Sequence, residues 1–271
     1  MASILPHSLP DRGRGDRGTA VPTVEASLAG ARGAGHYRRM TTTFITGANK
    51  GLGHETARRL IALGHTVILG ARDPERGAAA AAELGARCVR IDVTDDASVA
   101  AAAADVAAHE GVLDVLINNA GVHGPHGDPG ELTGADALDV FDVNVFGVVR
   151  ATTAFLPLLR RSSDPVVINV SSGMGSLART HDPARAESSA VVPLYAASKA
   201  ALTMLTTQYA KGLKDIRVNA ADPGYTATDL NGHSGPQSVT EGTDAIVRLA
   251  TEGPGAGSGR FIDRIGPIGH S

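Results

Sequence analysis

Apolar and polar positions alternate regularly along the chain after Met40. Short runs rich in Val, Ile and Thr are followed by Ala-rich or amphipathic stretches of helical length. The strand candidates are apolar or β-branched and read TTFIT, TVILG, RCVRIDV, VLDVLINN, PVVINVS, IRVNAAD and GRFID. Helices are expected over 51–63, 75–84, 97–109 and 137–159. Strands that alternate with helices pair in parallel through right-handed crossovers. The pattern therefore predicts a single α/β domain with a doubly wound parallel sheet of about seven strands and helices on both faces.

Residues 1–39 lack this pattern. They contain several Gly, Arg and Pro residues and little apolar periodicity, so we expect this N-terminal extension to be disordered. The Arg-rich composition could suggest a targeting peptide, but acidic residues and the lack of a continuous apolar region argue against one. We favour Met40 as the natural start, which leaves 40–271 as the folded domain. Peptides from residues 1–39 in the protein of its native cell would contradict that start.

Composition narrows the functional classes. The 271 residues are 42% hydrophobic and 20% charged, as in ordinary globular domains. No apolar stretch approaches the roughly 18 residues of a membrane span, and a net charge of -3 gives no reason to expect nucleic acid. The one cysteine, Cys88, is expected to be a buried strand residue. It excludes an intrachain disulfide and fits a reducing compartment such as the cytoplasm.

A glycine-rich segment, TGANKGLG at 46–53, lies between the first strand candidate and the first helix. Three glycines allow a tight turn and close backbone approach, while the helix N-terminus offers free N–H groups and a positive dipole to a pyrophosphate. We therefore predict a dinucleotide cofactor here. The contacting residues are expected to be Gly47, Asn49, Lys50, Gly51, Leu52 and Gly53.

The spacing Thr-Gly-x-x-x-Gly-x-Gly resembles that of the short-chain dehydrogenase/reductase family, in particular its NADPH-dependent carbonyl reductases. Further segments follow in that family's order and are IDVTD at 91–95, NNAGV at 118–122, DVNVFG at 142–147, NVSS at 169–172, YAASK at 195–199 and DPGYTATDL at 222–230. The resemblance covers residues 42 to about 230. It implies a Rossmann-like fold and an oxidoreductase that uses a nicotinamide cofactor.

The resemblance also implies where the cofactor lies. Lys199 would reach the nicotinamide ribose close to Tyr195. The other residues implied at the cofactor are Asp92 and Val93 at the adenine, Asn119, Ala120 and Gly121 along its length, and Pro223, Gly224, Thr226 and Thr228 beside the carboxamide and pyrophosphate.

Tyr195 and Lys199 share one helix face if their segment is helical. A neighbouring ammonium is expected to lower the pKa of a tyrosine from about 10 and make it a usable acid and base. The resemblance makes Ser172 the group that hydrogen-bonds the substrate oxygen, with Ser171 as the alternative. It also implies that Asn144 holds a water linked to Lys199. The alternative for Asn144 is a helix residue hydrogen-bonded to the backbone.

The charge at the end of the second strand candidate indicates which cofactor is used. The dinucleotide fingerprint expects an acidic residue about 20 positions after the last glycine when NAD is bound, and an Arg accommodates the 2′-phosphate of NADP. Arg72 stands near that position, and Lys50 supplies a second cation. Asp73 supports the alternative, NAD. Two cations suit a phosphate dianion better than one carboxylate, so we predict NADP(H).

Two departures from the family pattern bear on substrate and assembly. Residues 173–194 separate Ser172 from Tyr195 and exceed the spacing of compact members. The segment LARTHDPARAESSAVVP within them resembles an insertion of carbonyl reductases, some of which are monomers, so monomer and homo-oligomer both stay open. The loop after DPG is short and aromatic residues make up 3% of the chain. Both features favour a small aldehyde, ketone or quinone-like substrate.

Two histidines in GVHGPHGDPG, His123 and His126, stand near Asp128 and could suggest a metal. No cysteine or H-E-x-x-H pattern accompanies them, so we expect solvated loop histidines and no metal.

The leading hypothesis is thus an NADPH-dependent oxidoreductase that acts on a small carbonyl or alcohol. The alternative is a non-catalytic NADP-sensing regulatory or binding protein on the same fold. An epimerase or dehydratase is disfavoured because only residues 231–271 remain for a substrate domain.

Overall fold

The computed structural model describes residues 40–269. The extension predicted over residues 1–39 lies outside the described residues. Seven strands form one sheet within the described part of the chain. They are β1 (Thr42–Thr46), β2 (Thr66–Ala71), β3 (Arg87–Arg90), β4 (Val115–Asn118), β5 (Val166–Val170), β6 (Arg217–Ala221) and β7 (Phe261–Ile262). All neighbours pair in parallel in the order β3-β2-β1-β4-β5-β6-β7. The predicted Rossmann-like doubly wound sheet is confirmed.

Helices connect the strands. They are α1 (Gly51–Ala62), α2 (Pro74–Leu84), α3 (Asp96–His109), α4 (Gly134–Phe141), α5 (Gly147–Leu159), α6 (Leu177–His181), α7 (Pro193–Gly212), α8 (Val239–Gly242) and α9 (Asp244–Thr251). A π-helical turn, Asp142–Phe146, joins α4 to α5, where the sequence predicts one uninterrupted helix.

The core lies on both faces of the sheet. Along β1, Phe44 packs into one apolar cluster and Ile45 into the other, and both side chains are fully buried. Successive strand residues point to opposite faces, so a strand covered on both sides has to be apolar throughout. This is why the central strand candidates read as unbroken apolar runs.

The helical segment over 134–159, made of α4, the π-helical turn and α5, is long and apolar enough, by composition alone, to span a membrane. Its apolar residues instead contribute to the core: Phe155, Leu158 and Leu159 are buried in the cluster that covers one face of the sheet. Core packing therefore accounts for the composition of this helix.

Candidate active site

The carboxyl ends of the parallel strands bring the predicted site segments to one edge of the sheet. The glycine-rich turn follows β1, Asn119 follows β4, Ser172 follows β5 and Asp222 follows β6. Strands β1 and β4 are neighbours although they are not consecutive. The chain order reverses at that point, and open α/β sheets bind ligands in the crevice outside such a switch point.

Backbone geometry explains the glycine-rich turn. Gly47 and Gly51 have φ angles of 65° and 56°, in the left-handed region that favours glycine. A Cβ atom on Gly47 would lie 3.0 Å from Cα of Ala120. The Asn119 side-chain amide donates to the carbonyl oxygens of Thr46 at 2.9 Å and Gly47 at 3.0 Å. Asn119 therefore shapes the turn through its side chain.

The first turn of α1 is suited to an anion. Lys50 occupies the N-cap position without a side-chain hydrogen bond to the helix, and the first turn has no acidic residue. The first N–H groups of a helix lack intrahelical acceptors and carry positive partial charge. These residues fit the pyrophosphate of a dinucleotide.

Gly53→Ala is expected to weaken NADPH binding by about tenfold or more, because overpacking at such a site costs about 1–3 kcal/mol. The added Cβ would lie 2.5 Å from Nδ2 of Asn119 and 2.6 Å from the carbonyl oxygen of Gly47. Fluorescence titration with NADPH measures the loss. The matched control is Gly134→Ala, whose Cβ would meet no atom within 4 Å. Equal affinities of the two variants would contradict the predicted cradle.

Two charged residues at the end of β2 have different environments. Arg72 is exposed and lies near Asp92. Partial burial raises the pKa of Asp92, but hydrogen bonds from Thr94 and the charge of Arg72 leave that pKa lowered overall. Asp73 instead caps α2, since its carboxylate accepts hydrogen bonds from the N–H groups of Glu75 at 3.0 Å and Arg76 at 3.1 Å. This use of Asp73 weakens the NAD alternative.

The second predicted cation, Lys50, forms an ion pair with Asp229 of the loop after β6. Its Nζ lies 2.9 Å from Oδ2 of Asp229, and both side chains are about half exposed. Solvent screens an exposed pair strongly, so the pair holds Lys50 only weakly. An anionic ligand at the N-terminus of α1 can compete with Asp229 for this lysine.

The loop after β6 lies close to the glycine-rich turn. The Thr228 side chain is 3.9 Å from the place where a Cβ of Gly51 would stand. Thr226 is buried and its hydroxyl donates to the carbonyl oxygen of Pro223 at 2.9 Å. Gly224 has a φ of 69°. The four predicted loop residues thus stand together at the crevice, and their contacts with a cofactor stay a prediction.

Three predicted catalytic residues lie close together at the carboxyl end of β5 and in the N-terminal part of α7. Ser172 lies close enough to Tyr195 to lower its pKa, and Nζ of Lys199 lies 5.6 Å from the centroid of the Tyr195 ring. That Nζ donates to the carbonyl oxygen of Val170 at 2.9 Å. Ser171 is buried and its Oγ lies 2.9 Å from Oγ1 of Thr203. The structure therefore brings Ser172, and not Ser171, to the tyrosine.

Burial dominates the proton affinities of this group. It raises the pKa of Tyr195 to about 12, although Ser172 acts in the opposite direction. It lowers the pKa of Lys199 to about 8, which the charge of Asp222 partly opposes. The expected lowering of the tyrosine pKa by Lys199 is thus wrong, because desolvation disfavours phenolate. Tyr195 keeps its proton at neutral pH.

The stability difference between Lys199→Met and wild type is expected to depend on pH. The pKa of Lys199 is about 8 in the fold, against an ordinary value of 10.5. The cost of the buried ammonium is therefore complete below pH 8 and fades as pH rises to about 10.5. Relative to wild type, the variant should gain about 2–3 kcal/mol in unfolding free energy on going from pH 10.5 to pH 7. Denaturant unfolding measures this, with Lys211→Met on the exposed end of α7 as control, and a pH-independent difference would contradict it.

Asn144 lies in the π-helical turn and is fully buried. Its Oδ1 accepts from the N–H of Val122 at 2.8 Å, and its Nδ2 donates to the carbonyl oxygen of Val122 at 2.9 Å and to Oγ of Ser198 at 3.0 Å. These bonds agree with the alternative prediction, in which the Asn144 side chain is hydrogen-bonded to the backbone. They also place the residue beside the catalytic helix. A water link from Asn144 to Lys199 stays a prediction.

The two loop histidines have a different setting from the one expected. The His123 ring stacks on Tyr195 with centroids 4.8 Å apart, and His126 stacks on His123 at 4.3 Å. His123 is half-buried, and burial together with the neighbouring His126 lowers its pKa. The expectation of a solvated residue is therefore wrong for His123, which covers one face of the tyrosine. Within residues 40–269, no group of three or more His, Cys, Asp or Glu side chains could hold a metal.

Comparison with known proteins finds similar chains in one family. A family model described as short chain dehydrogenase matches residues 41–238. Short-chain dehydrogenase anuI of Penicillium roqueforti is 38% identical over 233 residues, which cover 81% of this chain and 92% of that protein. (-)-Isopiperitenone reductase of Mentha piperita is 34% identical over 298 residues, covering 81% and 95%. Among solved structures, an NADPH-bound carbonyl reductase from chicken fatty liver has a TM-score of 0.75 and 29% identity, and covers 85% of this chain and 98% of that one.

Proposed function

Because the chain belongs to the short-chain dehydrogenase family of oxidoreductases, we propose that it reduces a small aldehyde or ketone with Tyr195 as the proton donor. NADP(H) is the cofactor, and the exposed Arg72 at the end of β2 supports that choice over NAD. The observation that carries the proposal is the meeting of Ser172, Tyr195 and Lys199 at the edge of the sheet that also holds the glycine-rich turn.

Each of the three side chains has a role in the proposed reduction. NADPH, when bound, supplies the hydride that reaches the carbonyl carbon. The Tyr195 hydroxyl gives its proton to the carbonyl oxygen, and Ser172 donates a hydrogen bond to the same oxygen as charge develops there. The Lys199 ammonium adds positive charge beside the tyrosine. In the reverse direction Tyr195 would accept the alcohol proton.

The proton affinity of Tyr195 favours reduction at neutral pH. With a pKa of about 12, the side chain carries the proton that carbonyl reduction consumes. Alcohol oxidation needs the phenolate instead, which the raised pKa of Tyr195 disfavours at neutral pH. We therefore propose that the enzyme works as a reductase, and that the stack of His123 and His126 on Tyr195 restricts the site to small substrates.

A panel of small aldehydes, ketones and quinones with NADPH and with NADH tests this function. We expect NADPH oxidation with at least one carbonyl and slower turnover with NADH. Tight NADPH binding without turnover on any member would favour the alternative, a non-catalytic NADP-sensing protein. The proximity of Ser172, Tyr195 and Lys199 supports catalysis over sensing.

We further propose a cytoplasmic protein that uses only small-molecule partners. Cys88 is a free thiol whose pKa is raised by burial, which fits a reducing compartment. Whether the chain is a monomer or a homo-oligomer stays a prediction for size-exclusion chromatography with light scattering.

A further inference from the structure

Asp222 is a buried carboxylate beneath the site. It follows β6 and is 2% exposed. Its Oδ1 accepts a hydrogen bond from the N–H of Gly224 at 2.9 Å, and its Oδ2 lies 3.0 Å from the place where a Cβ of Gly173 would stand. Gly173 directly follows Ser172, and Gly224 belongs to the loop expected beside the cofactor. One carboxylate thus joins the substrate side of the crevice to its cofactor side.

The segment 177–193, here called the insert, contacts the same carboxylate through Arg179 of α6. The Arg179 guanidinium donates to Oδ2 of Asp222 at 2.8 Å and to Oδ2 of Asp263 at 2.5 Å, with its side chain 12% exposed. Glu187, also from the insert, lies 3.5 Å from Arg179 and 3.2 Å from Arg185. Buried charges persist when they are paired and hydrogen-bonded. The insert is therefore anchored at the carboxyl ends of β6 and β7.

We propose that Asp222 is a positioning residue that holds the turn after Ser172 in register with the loop at Gly224, and that Arg179 couples the insert to this alignment. The proposal rests on the proposed reductase function. It gives the insert a role in the chemistry, since the segment supplies the cation that pairs with Asp222. A misplacement of about 1 Å in an active site can cost about 100-fold in rate.

The charge of Asp222 gives the proposal an independent readout. It raises the pKa of both Tyr195 and Lys199. Burial raises the pKa of Asp222 itself, while main-chain N–H groups and Arg179 oppose that rise. The titratable and charged groups around Asp222 and Tyr195 are Arg179, Arg185, Glu187, Asp263, Lys199 and His123.

The test compares Asp222→Asn, Asp222→Ala and Asp263→Asn in the full chain. Asparagine keeps an oxygen that can accept an N–H but loses the charge, whereas alanine loses both. Asp263 pairs with the same guanidinium as Asp222, since its Oδ2 lies 2.5 Å from Nη2 of Arg179. It therefore serves as the matched control. In the Asp222 variants Arg179 keeps Asp263 and Glu187 as partners, so its charge stays paired. The ultraviolet absorbance of tyrosinate, measured against the same variant carrying Tyr195→Phe, isolates the titration of Tyr195 without any substrate.

We expect the tyrosinate fraction of Tyr195 near pH 10 to rise in Asp222→Asn, because the charge that disfavours phenolate is removed. The kcat should fall in the order wild type, Asp222→Asn, Asp222→Ala, with alanine lower by about 100-fold. Asp263→Asn should leave the titration unchanged and kcat within about threefold. An unchanged titration and kcat in Asp222→Asn, or an equal effect in Asp263→Asn, would overturn the proposal. If the wild type reduces no carbonyl, the proposed reductase function is wrong, and the titration of Tyr195 alone tests the role of Asp222. If the alanine variant does not fold, the titration and kcat of Asp222→Asn test the proposal.

Discussion

Tyr195→Phe is expected to lower kcat for carbonyl reduction by about 10²–10⁴-fold while NADPH affinity stays within about twofold of wild type. Phenylalanine keeps the ring that stacks on His123 at 4.8 Å, but it has no proton for the substrate oxygen. NADPH oxidation with the best carbonyl of the panel measures kcat, and NADPH fluorescence measures binding.

Tyr209→Phe is the matched control for this prediction. Tyr209 lies on the same helix α7 and packs against an apolar cluster of the core, so its variant undergoes the same chemical change away from the crevice. Its kcat should stay within about twofold of wild type. If Tyr195→Phe retained the wild-type kcat, Tyr195 would not be the proton donor.

Arg72→Asp is expected to reduce the preference for NADPH over NADH by at least about 100-fold in the ratio of dissociation constants. Hydrogen bonds to a charged group contribute about 1.5–3 kcal/mol, and the new carboxylate would repel a 2′-phosphate while suiting a ribose hydroxyl. Arg72 is exposed at the end of β2, so the substitution leaves the core intact. Fluorescence titrations with both cofactors give the ratio.

The control for Arg72 is Arg76→Asp. Arg76 lies in the first turn of α2 beside Asp73, at 3.5 Å, and its side chain is 71% exposed. Losing this neighbouring positive charge should leave the cofactor preference within about twofold. An unchanged preference in Arg72→Asp, or an equal change in Arg76→Asp, would refute direct recognition of the phosphate by Arg72.

The elements of the fold follow from local pattern. Strands β1, β4 and β5 are buried on both faces, which makes them continuous apolar runs that the sequence reveals directly. Tyr195 and Lys199 share a face of α7 because of their spacing. The capping role of Asp73 was missed, although an Asp followed by Pro at the first helical position is an N-cap pattern. This pattern distinguishes an Asp that caps a helix from one that binds the cofactor.

Properties that arise from tertiary burial were not visible in the sequence. The pKa of Tyr195 depends on desolvation by elements far apart in the chain, so its direction was mispredicted from the neighbouring lysine alone. The position of His123 over the tyrosine ring depends on a loop rich in Gly and Pro with no periodic pattern. The contact of Arg179 with Asp222 joins residues from the insert and from the end of β6. No local motif predicts such a pair.

We propose that this chain transfers hydride directly from the nicotinamide to a carbonyl carbon. Turnover with NADPH deuterated at the transferable position, followed by mass spectrometry of the alcohol product, tests it most directly. We predict one deuterium on the carbinol carbon per turnover in the wild type and in Tyr209→Phe, and about 10²–10⁴-fold less product in Tyr195→Phe. An alcohol without deuterium, or no alcohol from any carbonyl of the panel, would contradict the claim.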